Sequence, residues 1–309
     1  MQGSLFSWKL FNFMIHCSSI LYFCDLMELN RSILLPFIQS ALKEDIGDGD
    51  HTSLATIPAD KKGNARLLIK EEGVLAGVEV ALEVFKAVDP ELKVSIHLQD
   101  GVLVKTGDIA FNVSGSARSI LAAERLVLNI MQRMSGIATQ TQRVVKLLEG
   151  TKTKVLDTRK TTPGMRYLEK MAVKIGGGVN HRFGLYDMIL IKDNHVDYAG
   201  GIQAAIQSAR KYLAEQQLHI PVEIEVRSLE ELQAVIDFGQ IDRILLDNFD
   251  FERLSAAIAL VNGKYITEAS GGITLDNVRQ YAECGVDFVS MGALTHSVKS
   301  LDMSLKAQS

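Results

Sequence analysis

The sequence predicts an α/β protein with two domains: a smaller N-terminal α+β sandwich and a C-terminal βα barrel. From residue 136 onward, short apolar stretches alternate with helical segments, a pattern typical of βα units and a parallel sheet. Six such stretches are evident, so the barrel is expected to have fewer than eight regular strands. A polar group follows each stretch, and only a closed ring of strands brings six strand ends to one mouth.

The expected barrel domain covers residues 136–309. Its candidate strands are apolar segments of similar length, at 154–157, 188–192, 222–226, 243–247, 265–269 and 287–291. Helical segments separate them, at about 167–174, 203–216, 229–238, 251–261 and 275–284. The groups at or just beyond the strand ends are Arg159, Lys192, Glu225, Asp247, Ser270 to Gly272, and Gly292.

The N-terminal domain is expected to cover residues 27–135. Apolar residues at helical spacing predict a helix at 29–43, and a run rich in Asp and Gly predicts a loop at 44–53. That run lacks the ligand spacing of a calcium-binding loop. A strong amphipathic helix is expected at 116–134, and the remaining predictions are a helix at 80–87 and strands at 65–69, 74–78, 92–98 and 109–113.

Arg125 lies in the long helix, off its main apolar stripe and beside Leu121, Leu128 and Asn129. An arginine among leucines can extend its aliphatic part along the protein surface. It can also reach across an interface to an anion. The residues alone favour neither interpretation.

Residues 1–26 form an apolar extension that we expect to lie outside the fold. Part of it is similar to the apolar core of a secretory signal, but polar residues interrupt it and no small-residue cleavage site follows. It is also short for a membrane span. The three cysteines have no CxxC spacing, which argues against a zinc site or disulfide framework and favours a reducing cytoplasm.

The composition is that of a globular protein, with 47% hydrophobic and 23% charged residues. The formal net charge is −4 at pH 7, which argues against broad nucleic-acid binding because that function needs a basic surface. Cations that cluster in one stretch therefore stand out against an acidic background.

Such a cluster lies between residues 154 and 195, near two expected strand ends. Like charges repel one another strongly where water is excluded, so the cluster favours binding of a small polyanion. The alternative is a set of weak surface salt bridges to Asp157, Asp187 and Asp193. The clustered residues are Arg159, Lys160, His181, Arg182 and Lys192.

Two glycine-containing loops follow the last two expected strands, EASGGI at 268–273 and SMGALTHS at 290–297. Glycine lets backbone N–H groups approach an anion closely, and the corresponding loops of βα barrels often bind phosphate. The alternative is a pair of tight turns. The sequence contains no GxxxxGK[ST] segment, so a P-loop is excluded.

Glu225 and Asp247 supply carboxylates to this otherwise cationic mouth. They can bind ribose hydroxyls or Mg²⁺, which prefers oxygen ligands. Neutralising Lys160 or Lys192 is compatible with either role.

Several of these segments, taken together and in order, resemble the quinolinate phosphoribosyltransferase family, from about residue 34 to residue 300. Two N-terminal stretches, EDIGDGDHTS and AERLVLNIMQRMSGIAT, resemble its first domain. The barrel segments that carry the resemblance are DTRKTTPGMR, KIGGGVNHRFGLYDMILIKDNH, VEIEV, LLDNF, EASGGI and SMGALTHS.

The resemblance implies transfer of phosphoribose from phosphoribosyl pyrophosphate to the ring nitrogen of quinolinate, with decarboxylation. Nicotinate mononucleotide, pyrophosphate and CO₂ would be the products, in de novo NAD biosynthesis. It also implies dependence on Mg²⁺ and a homodimer, if not a higher oligomer. The site would lie between the barrel of one subunit and the N-terminal domain of the other, with no nucleic acid or membrane involved.

The resemblance further implies a role for each matching residue. Arg159, His181 and Arg182 would bind the quinolinate carboxylates, and Arg125 would reach the quinolinate of the neighbouring subunit. Lys160 and Lys192 would line the shared mouth, with Glu225 and Asp247 as ribose- and metal-associated carboxylates; these four would act in catalysis. The remaining substrate-binding residues, chiefly around the 5′-phosphate, would be Thr158, Ser270, Gly271, Gly272, Met291, Gly292, Ala293 and His296.

Three other functions remain open at this point. Lys192 could form a Schiff base in an aldolase-type barrel, with Lys160 and Arg182 favouring its neutral form. A non-catalytic protein could bind a phosphate ligand in the same mouth. A phosphoribosyltransferase could act on nicotinate or another ring.

Overall fold

The computed structural model describes residues 29–308, so the extension at 1–26 lies outside the described residues. The chain forms a four-stranded antiparallel sheet, a six-stranded parallel sheet and a small two-stranded sheet. Among residues 29–308, no helix combines the length and the apolar character needed to cross a membrane.

The N-terminal part follows the expected order of elements. Its helices and strands are α1 (Arg31–Ile46), α2 (His51–Thr56), β1 (Lys62–Ile69), β2 (Gly73–Val74), α3 (Val78–Val88), β3 (Lys93–Ile96), β4 (Leu103–Val104) and β5 (Ile109–Ser116). The antiparallel sheet has the order β12-β1-β5-β3, in which β12 is the strand Met303–Gln308 at the end of the chain.

Two local expectations for this part were wrong. The run at 44–53 is a short turn between helices, because α1 continues to Ile46 and the Asp50 side chain accepts a hydrogen bond from Ser53 N–H to cap α2. The strand expected at 74–78 ends at Val74, because Gly77, with φ 97°, begins α3.

The long helix α4 (Ala117–Leu147) has 31 residues and continues well past residue 134, where the sequence predicted its end. Its buried face continues through Ile137, Ala138 and Val144. Gly136 does not break the helix. Instead it admits a neighbour, since a Cβ there would lie 2.3 Å from the backbone oxygen of Lys299. The helix therefore packs against both the first sheet and the barrel.

All six predicted barrel strands are present. The elements from β6 to the end of the chain are β6 (Lys154–Leu156), α5 (Arg166–Ile175), β7 (Ile189–Ile191), α6 (Asp193–Ala199), α7 (Ile202–Glu215), β8 (Val222–Val226), α8 (Leu229–Phe238), β9 (Arg243–Asp247), α9 (Phe251–Val261), β10 (Ile266–Ser270), α10 (Val278–Glu283), β11 (Phe288–Ser290), α11 (Ala293–His296) and β12 (Met303–Gln308). The short helix α6 and the strand β12 were not expected.

The strand order shows that the parallel sheet curls into a barrel. The order is β6-β11-β10-β9-β8-β7, so the first strand pairs with the last, as a ring requires. Residues 179–188 span the gap between β6 and β7. Val179 bridges to Leu156, and Arg182 Nη1 donates to the backbone oxygen of Met188 over 3.1 Å. The predicted barrel with fewer than eight strands is thus confirmed.

The end of the chain returns to the first sheet. Strand β12 pairs antiparallel with β1, with Leu305 opposite Leu67. The barrel domain was expected to cover residues 136–309 and so to include β12. The hydrogen bonds of β12 instead complete the antiparallel sheet of the N-terminal part. The two parts are therefore linked both by α4 and by β12.

Candidate active site

The site is built at the carboxyl ends of the barrel strands, beginning with a buried ion pair after β6. Asp157 is fully buried and accepts hydrogen bonds from Lys170 Nζ and from the backbone N–H of His181. Lys170 Nζ also donates to the backbone oxygen of His181 over 3.0 Å. Burial raises the pKa of Asp157 to about 6, although Lys170 opposes the shift. The pair fixes the segment that carries His181 and Arg182.

The His181 ring has hydrogen-bond partners on both nitrogens inside the protein. Its Nδ1 lies 2.8 Å from the backbone N–H of Arg182 and accepts it in the tautomer that carries the proton on Nε2. Nε2 lies 2.9 Å from Glu223 Oε2 and 3.4 Å from Glu268 Oε2. Burial and the nearby Glu268 raise the pKa of Glu223. The glutamates and the imidazole therefore form one proton-holding unit in the barrel interior.

Arg159 and Arg182 meet at the mouth above this unit. Arg182 is buried, and burial together with the charge of Arg159 lowers its pKa. Arg159 Nε is buried without a hydrogen-bond partner, and among the described residues no carboxylate pairs with either guanidinium. An unsatisfied buried donor costs about 1–3 kcal/mol. A bound anion would satisfy these donors.

The alternative of surface salt bridges is not what the structure contains. Asp157 is bound to Lys170. Asp187 accepts from the backbone N–H groups of Phe183 and Gly184, and Asp193 accepts from the N–H of its neighbour. All three carboxylates thus organise the backbone or an interior lysine, and none of them is ion-paired with Arg159 or Arg182.

A second group of charges lies at the ends of β7, β8 and β9. Lys192 Nζ lies 2.8 Å from Glu225 Oε2. Burial and the charge of Glu225 raise the pKa of Asp247, so the two carboxylates are close enough to repel each other. Asp247 Oδ2 accepts from the Asn248 side chain over 2.6 Å. Two neighbouring carboxylates with a lysine fit a divalent cation and ribose hydroxyls.

The first glycine loop, after β10, closes against Asn248. Ser270 O accepts a hydrogen bond from Asn248 N over 2.9 Å. Gly271 and Gly272 have φ values of 96° and 61°, which favour glycine. A Cβ at Gly271 would lie only 2.2 Å from Asn248 Oδ1. The loop therefore needs glycine for both conformation and space.

The second glycine loop, after β11, packs on the loop after β6. A Cβ at Gly292 would lie 3.0 Å from the His296 ring and 3.0 Å from Lys160 Cδ. Thr295 Oγ1 donates to the Lys160 backbone oxygen over 2.8 Å, and the N–H of Met291 donates to Leu156. Lys160 and His296 are both exposed at this point. The Lys160 and His296 side chains thus flank one glycine.

Several predicted residues are brought together and one lies apart. Thr158 Oγ1 accepts from the Lys160 N–H within the β6 loop, and Ala293 begins α11 beside Gly292. Arg125 is exposed on α4 and forms no hydrogen bond or ion pair with any other residue in the described range. Within one chain, the mouth is therefore assembled without Arg125.

Four residues of the site were missed by the sequence reasoning: Glu223, Glu268, Asn248 and Thr295. Glu223 had an available signal, because it lies two residues before Glu225 in β8 and so points to the same side of the strand. A charge in an otherwise apolar strand is the corresponding signal for Glu268. For Asn248 and Thr295 nothing in the sequence distinguished them from ordinary loop residues.

Comparison with known proteins places the whole described chain in one family. The family models "Quinolinate phosphoribosyl transferase, N-terminal domain" and "C-terminal domain" match residues 50–135 and 137–306. "Nicotinate-nucleotide pyrophosphorylase [carboxylating], chloroplastic" of Oryza sativa subsp. japonica is 48% identical over 284 residues, covering 87% of this chain and 76% of the relative. "Probable nicotinate-nucleotide pyrophosphorylase [carboxylating]" of Bacillus subtilis is 41% identical, covering 90% and 94%. The solved "nicotinate-nucleotide pyrophosphorylase from Francisella tularensis" superposes with a TM-score of 0.86 at 39% identity, covering 92% and 99%.

Proposed function

The chain belongs to the quinolinate phosphoribosyltransferase family, and from this premise we propose how its barrel mouth carries out the family reaction. The enzyme is a pentosyltransferase that moves phosphoribose from phosphoribosyl pyrophosphate to the ring nitrogen of quinolinate. The products are nicotinate mononucleotide, pyrophosphate and CO₂, within de novo NAD biosynthesis. The family resemblance and the function that it implied are thereby confirmed.

The observation that supports the site assignment is the pair of guanidiniums, Arg159 and Arg182, with a buried unsatisfied donor and no carboxylate partner among residues 29–308. Quinolinate carries two carboxylates on adjacent ring carbons. Planar guanidinium forks bind carboxylates through two parallel hydrogen bonds. We propose that Arg159, in the loop after β6, and Arg182, in the segment between β6 and β7, hold the quinolinate carboxylates.

Phosphoribosyl pyrophosphate would lie beside this pair. Gly272 leaves open space for a phosphate against the backbone, with Ser270, Gly292, His296 and Lys160 at the same edge. Glu225 and Asp247, at the ends of β8 and β9, would meet the ribose hydroxyls and the positive charge that develops on C1 of the sugar. The proposal therefore places the sugar between the glycine loops and the two carboxylates.

The reaction then needs positioning more than it needs a nucleophilic side chain. The bond from C1 to pyrophosphate breaks as the ring nitrogen bonds to C1, and Lys160 and Lys192 stabilise the charge that leaves. The alkylated ring nitrogen is cationic, so it stabilises the electron pair left on the adjacent ring carbon when CO₂ departs. A proton then takes that electron pair.

Mg²⁺ is the proposed cofactor. Glu225 and Asp247 fit it, because the charge of one carboxylate raises the pKa of the other, and a divalent cation would relieve that repulsion. When bound, the ion would neutralise negative charge on the pyrophosphate. Lys192, ion-paired to Glu225, would hold the same carboxylate in place.

We also propose a homodimer with a shared site. Arg125 is exposed on α4 next to Leu121, whose side chain is 43% exposed, and it has no partner in its own chain among the described residues. In the proposed dimer, Arg125 of the partner subunit would complete the carboxylate site formed by Arg159 and Arg182. A cytoplasmic location is proposed as well, supported by three cysteines without paired spacing.

The other functions fit the geometry less well. Lys192 Nζ is already bound to Glu225 over 2.8 Å, so this amine is not free to attack a carbonyl and form a Schiff base. A non-catalytic binder would not need carboxylates at the sugar position. Nicotinate, with one carboxylate, would leave one guanidinium unpaired, so we expect a strong preference for quinolinate.

The test of the proposed function is the release of pyrophosphate from phosphoribosyl pyrophosphate with quinolinate, with nicotinate and with neither. We expect rapid release with quinolinate. With nicotinate we expect release to be at least about 100-fold slower, because one guanidinium is left without a carboxylate. Equal rates with the two acids would contradict the assignment of the guanidinium pair. Binding of phosphoribosyl pyrophosphate without turnover would support the non-catalytic alternative.

A further inference from the structure

Beneath the mouth, four ionisable side chains fill the centre of the barrel: Glu223, Glu268, His181 and Arg243. Glu223 on β8 and Glu268 on β10 are both fully buried, yet neither points into the mouth. Both contact the His181 ring, and Arg243 lies 3.2 Å from Glu268 and 3.9 Å from Glu223. Removing ionisable groups from water costs free energy, so such a cluster indicates a structural or functional role.

Resting on the proposed function, we propose that Glu223 and Glu268 are positioning residues that fix Arg182, through His181, for the quinolinate carboxylate. His181 then acts on quinolinate through Arg182 and not by direct contact. Both residues lie in segments that carry the family resemblance, VEIEV and EASGGI, but the resemblance implied no role for either of them.

A continuous chain of hydrogen bonds supports the assignment. Glu223 Oε2 lies 2.9 Å from His181 Nε2, and the opposite ring nitrogen accepts from the Arg182 backbone N–H over 2.8 Å. Arg182 Nη1 in turn donates to the Met188 backbone oxygen over 3.1 Å, where β7 begins. Both nitrogens of the imidazole are thus used inside the protein, and neither is free for a substrate oxygen.

The ring therefore sets the position of the Arg182 backbone. Without a fixed imidazole, the Arg182 N–H would lose its acceptor. The backbone on either side would still be held, by Asp157 at His181 and by Asp187 at Phe183 and Gly184. The segment from His181 to Met188 also closes the gap between β6 and β7. A guanidinium fork must match a carboxylate in direction as well as distance, so small shifts of Arg182 weaken binding.

A metal ion is a second use for a His and two Glu whose ligand atoms lie within 4.8 Å of one another. Arg243 argues against it, because its guanidinium already provides positive charge to both glutamates and also stacks over Phe288. The positioning role accounts for the contacts that both glutamates make with the His181 ring.

The test is a graded pair of substitutions, Glu223→Gln and Glu223→Leu, with KM measured separately for quinolinate and for phosphoribosyl pyrophosphate. A neutral amide still accepts from Nε2–H, so we expect Glu223→Gln to raise the quinolinate KM about threefold, and Glu223→Leu about tenfold or more. The KM for phosphoribosyl pyrophosphate should stay within about twofold in both. If Glu223→Leu does not fold, Glu223→Gln and Glu268→Gln decide the outcome.

A double-mutant cycle with Arg182→Lys separates positioning from general damage. A flexible lysine does not depend on the direction of a fork, so in that background the effect of Glu223→Gln on the quinolinate KM should fall below about twofold. The matched control is Asp287→Asn, which removes a half-buried carboxylate bound to Thr267 and Lys152 at the opposite end of the barrel. It should lower the melting temperature without changing either KM.

The outcomes that would overturn the inference are distinct. An unchanged quinolinate KM in the folded Glu223 variants, an equal rise in both KM values, or full additivity with Arg182→Lys would each refute positioning. Failure of the proposed function would appear already in the wild-type enzyme, as no release of pyrophosphate with quinolinate.

Discussion

Arg159 and Arg182 lie close enough for the charge of one to lower the pKa of the other, and neither has a carboxylate partner among the residues that the structure describes. A protein interior seldom keeps two such cations together without compensation, because each repels the other and each has donors to satisfy. The carboxylates that the sequence offered as partners, such as Asp157 and Asp187, are bound elsewhere. The arrangement is explained by a dianionic ligand.

Removing one of these guanidiniums should weaken quinolinate binding without weakening the fold. A charge-assisted hydrogen bond contributes about 1.5–3 kcal/mol, so Arg159→Ala should raise the quinolinate KM by about 10- to 100-fold. Its melting temperature should not fall, because the substitution removes a buried unsatisfied donor. Steady-state kinetics and thermal unfolding check both statements, with Arg253→Ala, a surface arginine paired to Asp250, as control. A stable Arg159→Ala variant with unchanged KM would refute the carboxylate-binding role.

The shared site can be tested by complementation. At a quinolinate concentration well below the wild-type KM, Arg125→Ala and Arg159→Ala should each show little activity as pure dimers. In a mixed dimer, one of the two sites carries both substitutions and the other site is intact. Each heterodimer should therefore reach up to about half of the activity of the wild-type dimer. Activity is measured after subunit exchange is verified by mass spectrometry. No recovery in verified heterodimers would show that Arg125 acts within its own chain.

The glycine loop after β10 should be sensitive to the addition of a single methyl group at Gly271. In Gly271→Ala, the new Cβ would clash with the Asn248 side chain and the residue would keep a φ of 96°. We expect the KM for phosphoribosyl pyrophosphate to rise about tenfold or more, with a cost in unfolding free energy of about 1–3 kcal/mol. Gly263→Ala is the matched control, since its φ is 71° but nothing lies within 4 Å of a Cβ there. Similar kinetics in the two variants would exclude a phosphate-binding role for the loop.

Asp100 predicts a pH dependence of stability that is separate from the active site. Burial raises its pKa from 3.8 to about 6, although the Val78 N–H, at the start of α3, donates to Oδ1. Between these values the folded state binds more protons than the unfolded state, so stability falls as pH rises from about 4 to about 6, by about 3 kcal/mol at most. Asp100→Asn keeps the acceptor for Val78 and loses the charge. Urea unfolding at pH 4, 5, 6 and 7 should show a smaller fall for the variant, and an identical fall would contradict the burial of a charge at Asp100.

Much of the barrel could be predicted because its strands are short, apolar and separated by helical segments. The cations of the mouth could also be predicted, since charges next to buried strands are conspicuous. What the sequence did not reveal depends on long-range packing. The closure of the ring by residues 179–188 and the return of β12 to β1 are contacts between distant segments, with no local periodicity to mark them.

The interior of the site was harder to predict than its rim. Glu223 lies in VEIEV beside Glu225, and the pair looks like one acidic strand end, although one side chain is buried beneath the mouth and the other lies in it. The same holds for His181, which looks like another cation of the cluster but is bonded on both ring nitrogens within the protein. Only the geometry separates residues that touch a ligand from residues that support them.

The central claim is that this mouth joins phosphoribose to a pyridine dicarboxylate and thereby releases one carboxylate. Its most direct test uses quinolinate labelled with ¹⁴C in the carboxylate beside the ring nitrogen, incubated with the purified chain. The account predicts ¹⁴CO₂ release only when phosphoribosyl pyrophosphate and Mg²⁺ are both present, with one pyrophosphate formed for each CO₂. Release of label without phosphoribosyl pyrophosphate, or pyrophosphate formation without loss of label, would contradict it.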